Sequence, residues 1–235
     1  MAVAWQGWLD GLTAFGIIFF CVVFGLLSFY KSIKLKAKLL SVAGILMFFV
    51  GFLWLGPTVD FFVKLITGYN LFPPHIYVLL SYTWVAPALL FAMYLGGELL
   101  VSKLKWVLVG IFLVLGVVFE LFLWFSPWQS FDHIQVDPLI PNGLIDASFN
   151  NTHPTFILVV VFLVSALIFL GIGSIIKAKQ ATGILRKKFV YMSIGFIIFV
   201  LSGALDSILT LPVAIGAVRV VMMTFSIWEY LGLKT

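Results

Sequence analysis

Lys31-Ser32-Ile33-Lys34-Leu35-Lys36-Ala37-Lys38 joins two apolar runs near the start of the chain, and two further basic segments punctuate the sequence in the same way. These are Ser102-Lys103-Leu104-Lys105 and the stretch from Lys177 to Lys188, which holds Lys177, Lys179, Arg186, Lys187 and Lys188. Together the three segments carry eleven of the fourteen Lys and Arg residues. The apolar stretches between them are long enough to cross a bilayer, for which a helix needs about 20 mainly apolar residues. Basic loops are retained in the cytoplasm. The alternation therefore predicts an all-α integral membrane protein: a seven-transmembrane-helix bundle with its N-terminus outside and its C-terminus cytoplasmic.

Composition agrees. The chain is 63% apolar and 10% charged, against about a quarter charged in a soluble domain. So little charge cannot cover a water-soluble surface of this size, so lipid must solvate most of it. The net charge of +5 sits in loops facing the anionic cytoplasmic leaflet, which explains it without a nucleic-acid partner. The expected location is the plasma (cytoplasmic) membrane, multi-pass. The one cysteine, Cys21, lies in the first apolar stretch and reads as a small core side chain. Met-Ala-Val-Ala-Trp-Gln-Gly-Trp-Leu-Asp lacks the basic start of a signal peptide and reads as mature sequence, with Trp5 and Trp8 as interfacial anchors and Asp10 at the outer boundary.

The expected spans cover residues 9–30, 39–62, 76–100, 106–125, 154–176, 189–211 and 212–231. Pro73-Pro74 ends one helix before the next begins, and Pro87 should kink the third span. Glycines at Gly96-Gly97 and Gly171-Ile172-Gly173 suit close helix packing. Residues 126–153 hold Asp132, Asp137, Asp146, Pro138 and Pro141 but no Lys or Arg, which suits an external loop folded over the bundle mouth. Asn150-Asn151-Thr152 in that loop matches a glycosylation acceptor pattern. The outline of helix, basic loop, helix recurs at 9–62 and 154–211, with few matching residues.

Ionisable groups inside a bilayer cost roughly 2.5–3.5 kcal/mol on insertion scales and so point to function. Counting at about 1.5 Å per residue places Asp206 and Arg219 some 8–10 Å below the outer boundary, on helices joined by a short turn, so an ion pair between them is sterically reasonable. Glu120 lies at a similar depth, and Asp60 approaches it from the second span. These four, rimmed by Tyr82 and Trp84 with Tyr77, Trp54 and Trp124, suggest a polar ligand-binding cavity open to the outside. An interhelical lock is the other reading, and an ion pair can also floor a pocket. Glu98 and Glu229 lie near the inner ends, where pairing with loop lysines is expected. His75, His133 and His153 fall in external segments and, with Asp132, Asp137 and Asp146, have the chemistry of a zinc or copper site but no helical ligand spacing. With no histidine inside any span, a transmembrane bis-histidine haem is excluded. No cofactor is expected.

Seven helices with an external N-terminus invite comparison with rhodopsins, but the seventh span offers no lysine for a retinal Schiff base; its internal cation is Arg219. A second resemblance is carried by the last two spans. Arg186-Lys187-Lys188 leads into Tyr191-Met192-Ser193-Ile194-Gly195-Phe196 and Ser202-Gly203-Ala204-Leu205-Asp206; Gly216-Ala217-Val218-Arg219 and Tyr230-Leu231-Gly232 follow. In this stretch and in general layout the chain resembles the seven-transmembrane sensor region of microbial histidine kinases. That resemblance implies a membrane sensory or receptor-like module, which senses a small-molecule or lipid ligand from outside and signals inward. This chain carries no kinase, so the signalling partner would be a separate cytoplasmic chain. A small solute or ion transporter, or an accessory subunit of a membrane complex, is the alternative. An intramembrane hydrolase would need a nucleophile with its base, or several metal ligands, at one depth, and the spans supply no histidine for it.

Overall fold

The computed structural model describes residues 3–136, 138, 140, 142–209 and 211–233. Its elements run α1 (Trp5–Leu35), α2 (Lys38–Phe52), α3 (Leu55–Thr67), α4 (His75–Tyr82), α5 (Val85–Leu100), α6 (Lys105–Phe125), α7 (Pro127–Ser130), β1 (Phe131–Val136), β2 (Ile145–Phe149), α8 (Pro154–Ala166), a π-helical turn (Leu167–Ile172), α9 (Gly173–Gln180), α10 (Gly183–Ile208) and α11 (Pro212–Leu233). Among the described residues six helices are long and apolar enough to cross a membrane, or seven if the bent pair α2 and α3 makes one span.

Helix α1 starts earlier and ends later than the expected 9–30, because Trp5, Trp8 and Asp10 lie within its helical register. Its buried face repeats at three- and four-residue intervals through Gly7, Gly11, Ala14, Ile17, Cys21, Gly25, Ser28 and Ser32. Small residues on one stripe let neighbouring backbones approach, as lipid-embedded helices require. The closest approach is to α2: a Cβ placed on Gly44 would lie 3.0 Å from the Gly25 carbonyl oxygen and 3.2 Å from the Phe29 nitrogen.

Two interruptions share one cause. Trp54-Leu55-Gly56-Pro57 separates α2 from α3 with a 50° bend, and Trp84-Val85-Ala86-Pro87 separates α4 from α5. Proline has no N–H to give and its ring crowds the carbonyl four residues back, which is Leu53 in one case and Thr83 in the other. Each helix therefore stops two residues before the tryptophan of its Trp-x-x-Pro stretch and restarts just beyond it. The two breaks meet: the Gly56 N–H donates to Ser81 Oγ at 3.2 Å, and Ser81 Oγ donates to the Tyr77 carbonyl at 3.0 Å.

Packing closes the long helices into a ring. Helix α1 lies between α2 and α11, α2 against α5, α5 against the π turn, α9 against α10, and α10 against α11, while α6 sits outside against α5 and α8. The turns bearing Lys36, Lys103 and the Lys177–Lys188 run all fall at one end, the basic end. The opposite end is capped by β1 and β2, an antiparallel hairpin pairing Ile134 with Ala147 and Val136 with Ile145. The described part of the expected external loop 126–153 thus holds a short helix and two paired strands, and Phe131, Ile134, Ile145 and Phe149 are buried against the bundle.

Gly44→Leu should lower the melting temperature of the purified protein by the equivalent of about 1–3 kcal/mol through overpacking against backbone that cannot yield. Gly110→Leu, where an added Cβ meets nothing within 4 Å, should leave it unchanged or higher.

Candidate functional site

Arg219, 8% exposed, carries its charge into the hairpin half of the bundle. It lies on the α11 face that runs Gly216, Arg219, Met222, Ser226, Glu229. An isolated guanidinium there would be prohibitive, and two carboxylates meet it. Arg219 Nε donates to Asp206 Oδ1 at 2.8 Å and Nη2 reaches Asp206 Oδ2 at 3.4 Å. Nη1 forms an ion pair with Asp10 Oδ1 from α1. The Asp206–Arg219 pair is where depth counting placed it. Asp10 joins it because α1 runs parallel to α11: Leu9 packs on Gly216, and Met223 fills the space beside Gly16.

Beside this cluster is a cavity of about 170 Å³ lined by five of the long segments. Its polar residues all gather at the hairpin end: Tyr77, Ser81, Tyr82, Asp206, Ser207 and Arg219. Toward the basic end the walls are apolar, with Leu46, Val50, Leu89, Ala92, Leu170 and Phe196. Both helix breaks contribute, through Trp54 and Pro57 on one side and Tyr82 and Val85 on the other. Neither the Tyr77 nor the Tyr82 hydroxyl has a hydrogen-bond partner among the described residues, so both can serve whatever occupies the space. Above them Tyr82 packs on Phe131 and Phe149, with ring centroids 5.3 and 4.7 Å away, and the hairpin roofs the cavity.

The other expected site residues are placed elsewhere. Asp60 is fully buried and holds the roof: it accepts from Leu71 N at 2.6 Å, Asn70 Nδ2 at 3.0 Å and Ile145 N at 2.8 Å. Lys64, one turn on, donates to Asn70 Oδ1 at 2.9 Å and to the Gly143 carbonyl at 2.5 Å. Two charges of opposite sign thus clamp the hairpin to α3. Glu120 lines a separate groove between α5 and α6 with Ala86, Pro87, Gly116 and Trp124, where Oε2 accepts from Trp124 Nε1 at 3.1 Å. Trp84 turns away from the cavity and packs against Phe49 and Phe52, with ring centroids 5.9 and 5.1 Å away. Of the six residues expected to form the pocket, Tyr82, Asp206 and Arg219 come together. Asp60, Glu120 and Trp84 face other neighbours.

At the basic end Glu98 pairs with Lys105 at 2.5 Å. Among the described residues Glu229 pairs with no loop lysine, contrary to expectation: it is 2% exposed and its Oε1 has no hydrogen-bond partner there. It sits against Gly195 one turn beyond Phe225, inside the helix interface. Among the described residues no three His, Cys, Asp or Glu side chains gather as metal ligands. His133 lies 3.7 Å from Asp146, His75 stacks edge-on to Trp128, and His153 caps α8 through Thr155. Asp137, the remaining member of that expected set, lies outside the described residues. Asn150, of the glycosylation pattern, accepts from Thr152 N at 3.0 Å and donates to the Gln129 carbonyl at 3.2 Å.

Compared with protein-family models, with curated proteins and with solved structures, the chain matches none.

Arg219→Gln should destabilise the protein by about 3–5 kcal/mol, since it strands two carboxylates; Asp206→Asn, which leaves the Asp10 pair intact, should cost less. Thermal melts of the three proteins side by side check this order. Asp60→Ala should leave the helices intact but speed hydrogen exchange at the Leu71 and Ile145 amides, read by mass spectrometry.

Proposed function

We propose that this chain is a seven-span protein of the cytoplasmic membrane, with its N-terminus outside and its C-terminus inside, whose central cavity binds a small ligand and reports it to the basic end. The single observation that carries the reading is the cavity's position at the Asp10–Asp206–Arg219 cluster. A ligand that touches Asp206 or Arg219 touches the tie between α1, α10 and α11. The same helices continue to the basic turns, where a separate cytoplasmic chain would read their displacement. The hairpin segment, residues 126–153, is acidic and carries no Lys or Arg, which suits the external face, and the three basic turns suit the cytoplasmic one. The resemblance of residues 186–232 to the sensor region of microbial histidine kinases supports the same direction of signalling.

A transporter is the second reading, and one observation favours it. Two broken helices line the cavity side by side, and interrupted spans at mid-membrane are a mark of transport sites. They are sequential neighbours rather than counterparts in two repeats, which weighs toward a sensor.

Both readings are separable in reconstituted protein. With Cys21 buried, a fluorophore on Lys103→Cys reports the basic end alone. In nanodiscs, short-chain alcohols, amines, carboxylates and amino acids should include a compound that raises the melting temperature and shifts this fluorescence, without flux in proteoliposomes. Flux of that compound would establish transport instead. A panel that changes nothing would remove the binding cavity from the account.

A further inference from the structure

The cavity's walls say how its ligand arrives. The hairpin closes the hairpin end: Phe131 and Phe149 stack with centroids 4.5 Å apart directly on Tyr82, and the Asp60–Asn70–Lys64 clamp holds them there. The apolar end is sealed where Phe225 of α11 meets Phe196 and Phe199, at 5.6 and 5.1 Å. The remaining side lies between α8 and α10. Helix α10 packs closely along α9 and the π turn, whereas α8 leans away from it. Val159, Leu163 and Ala166 form one lip, spaced three and four residues apart on one face of α8, and each is part-exposed. Gly203 and Ser207, four apart on α10, form the other. Ser207 is exposed, and a Cβ placed on Gly203 would meet nothing within 4 Å. On the seven-span reading this gap, running from Ser207 near the end of α10 down to Ala166, faces the bilayer.

The polarity of the walls says what enters. Every polar lining residue is at the hairpin end and the rest of the cavity is apolar, so an occupant must have one polar end and one apolar body. The polar end meets an excess of negative charge: two carboxylates, Asp10 and Asp206, surround one guanidinium. Asp206 and Arg219 both line the cavity and Asp10 does not; with Asp10 balancing the guanidinium, Asp206 keeps acceptor capacity on Oδ2, whose contact with Arg219 is 3.4 Å. The Tyr77 and Tyr82 hydroxyls add acceptors, and the rings of Trp54, Tyr77 and Tyr82 suit a cation face-on.

Resting on the ligand-cavity reading above, we infer that the occupant is a cationic amphiphile, a primary amine on a short aliphatic chain, that enters sideways from the bilayer between α8 and α10. Its ammonium sits at Asp206 and the tyrosines, and its chain descends toward Leu46, Ala92 and Leu170. An amphiphile resting in the leaflet at the hairpin side already has this orientation, with its head near the interface and its tail toward mid-membrane.

Octylamine, octanol, octanoate and methylamine, titrated against the protein in nanodiscs, test it. Octylamine should raise the wild-type melting temperature saturably, as a native-state ligand must. Octanol should do so more weakly, and octanoate and methylamine not at all. Gly203→Phe fills open space at the lip, so it should fold with a wild-type melting temperature and bind octylamine at least about tenfold more weakly. Should that variant not fold, Ser207→Phe on the exposed side of the same lip carries the test. Octanoate binding as well as octylamine, methylamine binding as well as octylamine, or an octylamine response indifferent to the lip variant would each overturn the inference. If other members of the wider panel still stabilise the protein, the ligand cavity stands and only its occupant and entry are wrong. If nothing in either set binds, both fall.

Discussion

Arg219 is the constraint on which the rest of the bundle depends. A guanidinium inside an apolar core has no solvent to retreat to, and it is tolerated because α1 and α10 each bring a carboxylate to it. Such buried pairs add little net stability compared with apolar packing, but a partner removed leaves a charge stranded. Their value lies in selection among alternatives. Only an arrangement with α1 and α10 on either side of α11, at one relative height, satisfies all three groups. That requirement closes the first and last helices into a ring.

Closure of the ring creates the cavity, and the helix breaks shape it. If α2–α3 and α4–α5 were straight, their side chains would fill the centre as they do nearer the basic end, where Met47 and Met93 are fully buried. The Trp-x-x-Pro interruptions turn α3 and α4 toward the hairpin and leave space beside Asp206. The hairpin is held by a second buried charge pair that never touches the first: Asp60 and Lys64 satisfy loop amides and carbonyls from α3. One charged cluster therefore ties helix to helix and the other ties roof to helix. With both ends shut, the gap between α8 and α10 is the cavity's open side.

Much of this was legible as depth and little of it as direction. Counting residues from the turns put Asp60, Glu120, Asp206 and Arg219 at one level, and it was right to pair the last two, because a short turn makes their helices neighbours. Asp60 and Glu120 face other neighbours, because azimuth depends on which helix packs on which face and depth counting does not supply it. Depth counting makes Asp10 a boundary residue because the apolar run starts at residue 9, whereas α1 starts at Trp5. The three- and four-residue spacing from Gly7 to Ser32, and from Gly216 through Arg219 to Glu229, was a readable signal that would have turned Asp10 toward the bundle and Glu229 into it. Pro87 announced one break. The matching Pro57 carried the same message, and only together do the two prolines mark the cavity.

The lateral opening is the claim that connects the fold to its function, and nitroxide accessibility measures it most directly. A spin label on Gly203→Cys, in a Cys21→Ala background in nanodiscs, would be exposed to molecular oxygen, which concentrates in lipid, and to a water-soluble nickel chelate. High collision with oxygen and little with nickel is the predicted result. Strong nickel accessibility would mean that the cavity opens to water, and a label reached by neither would mean that α8 and α10 are closed.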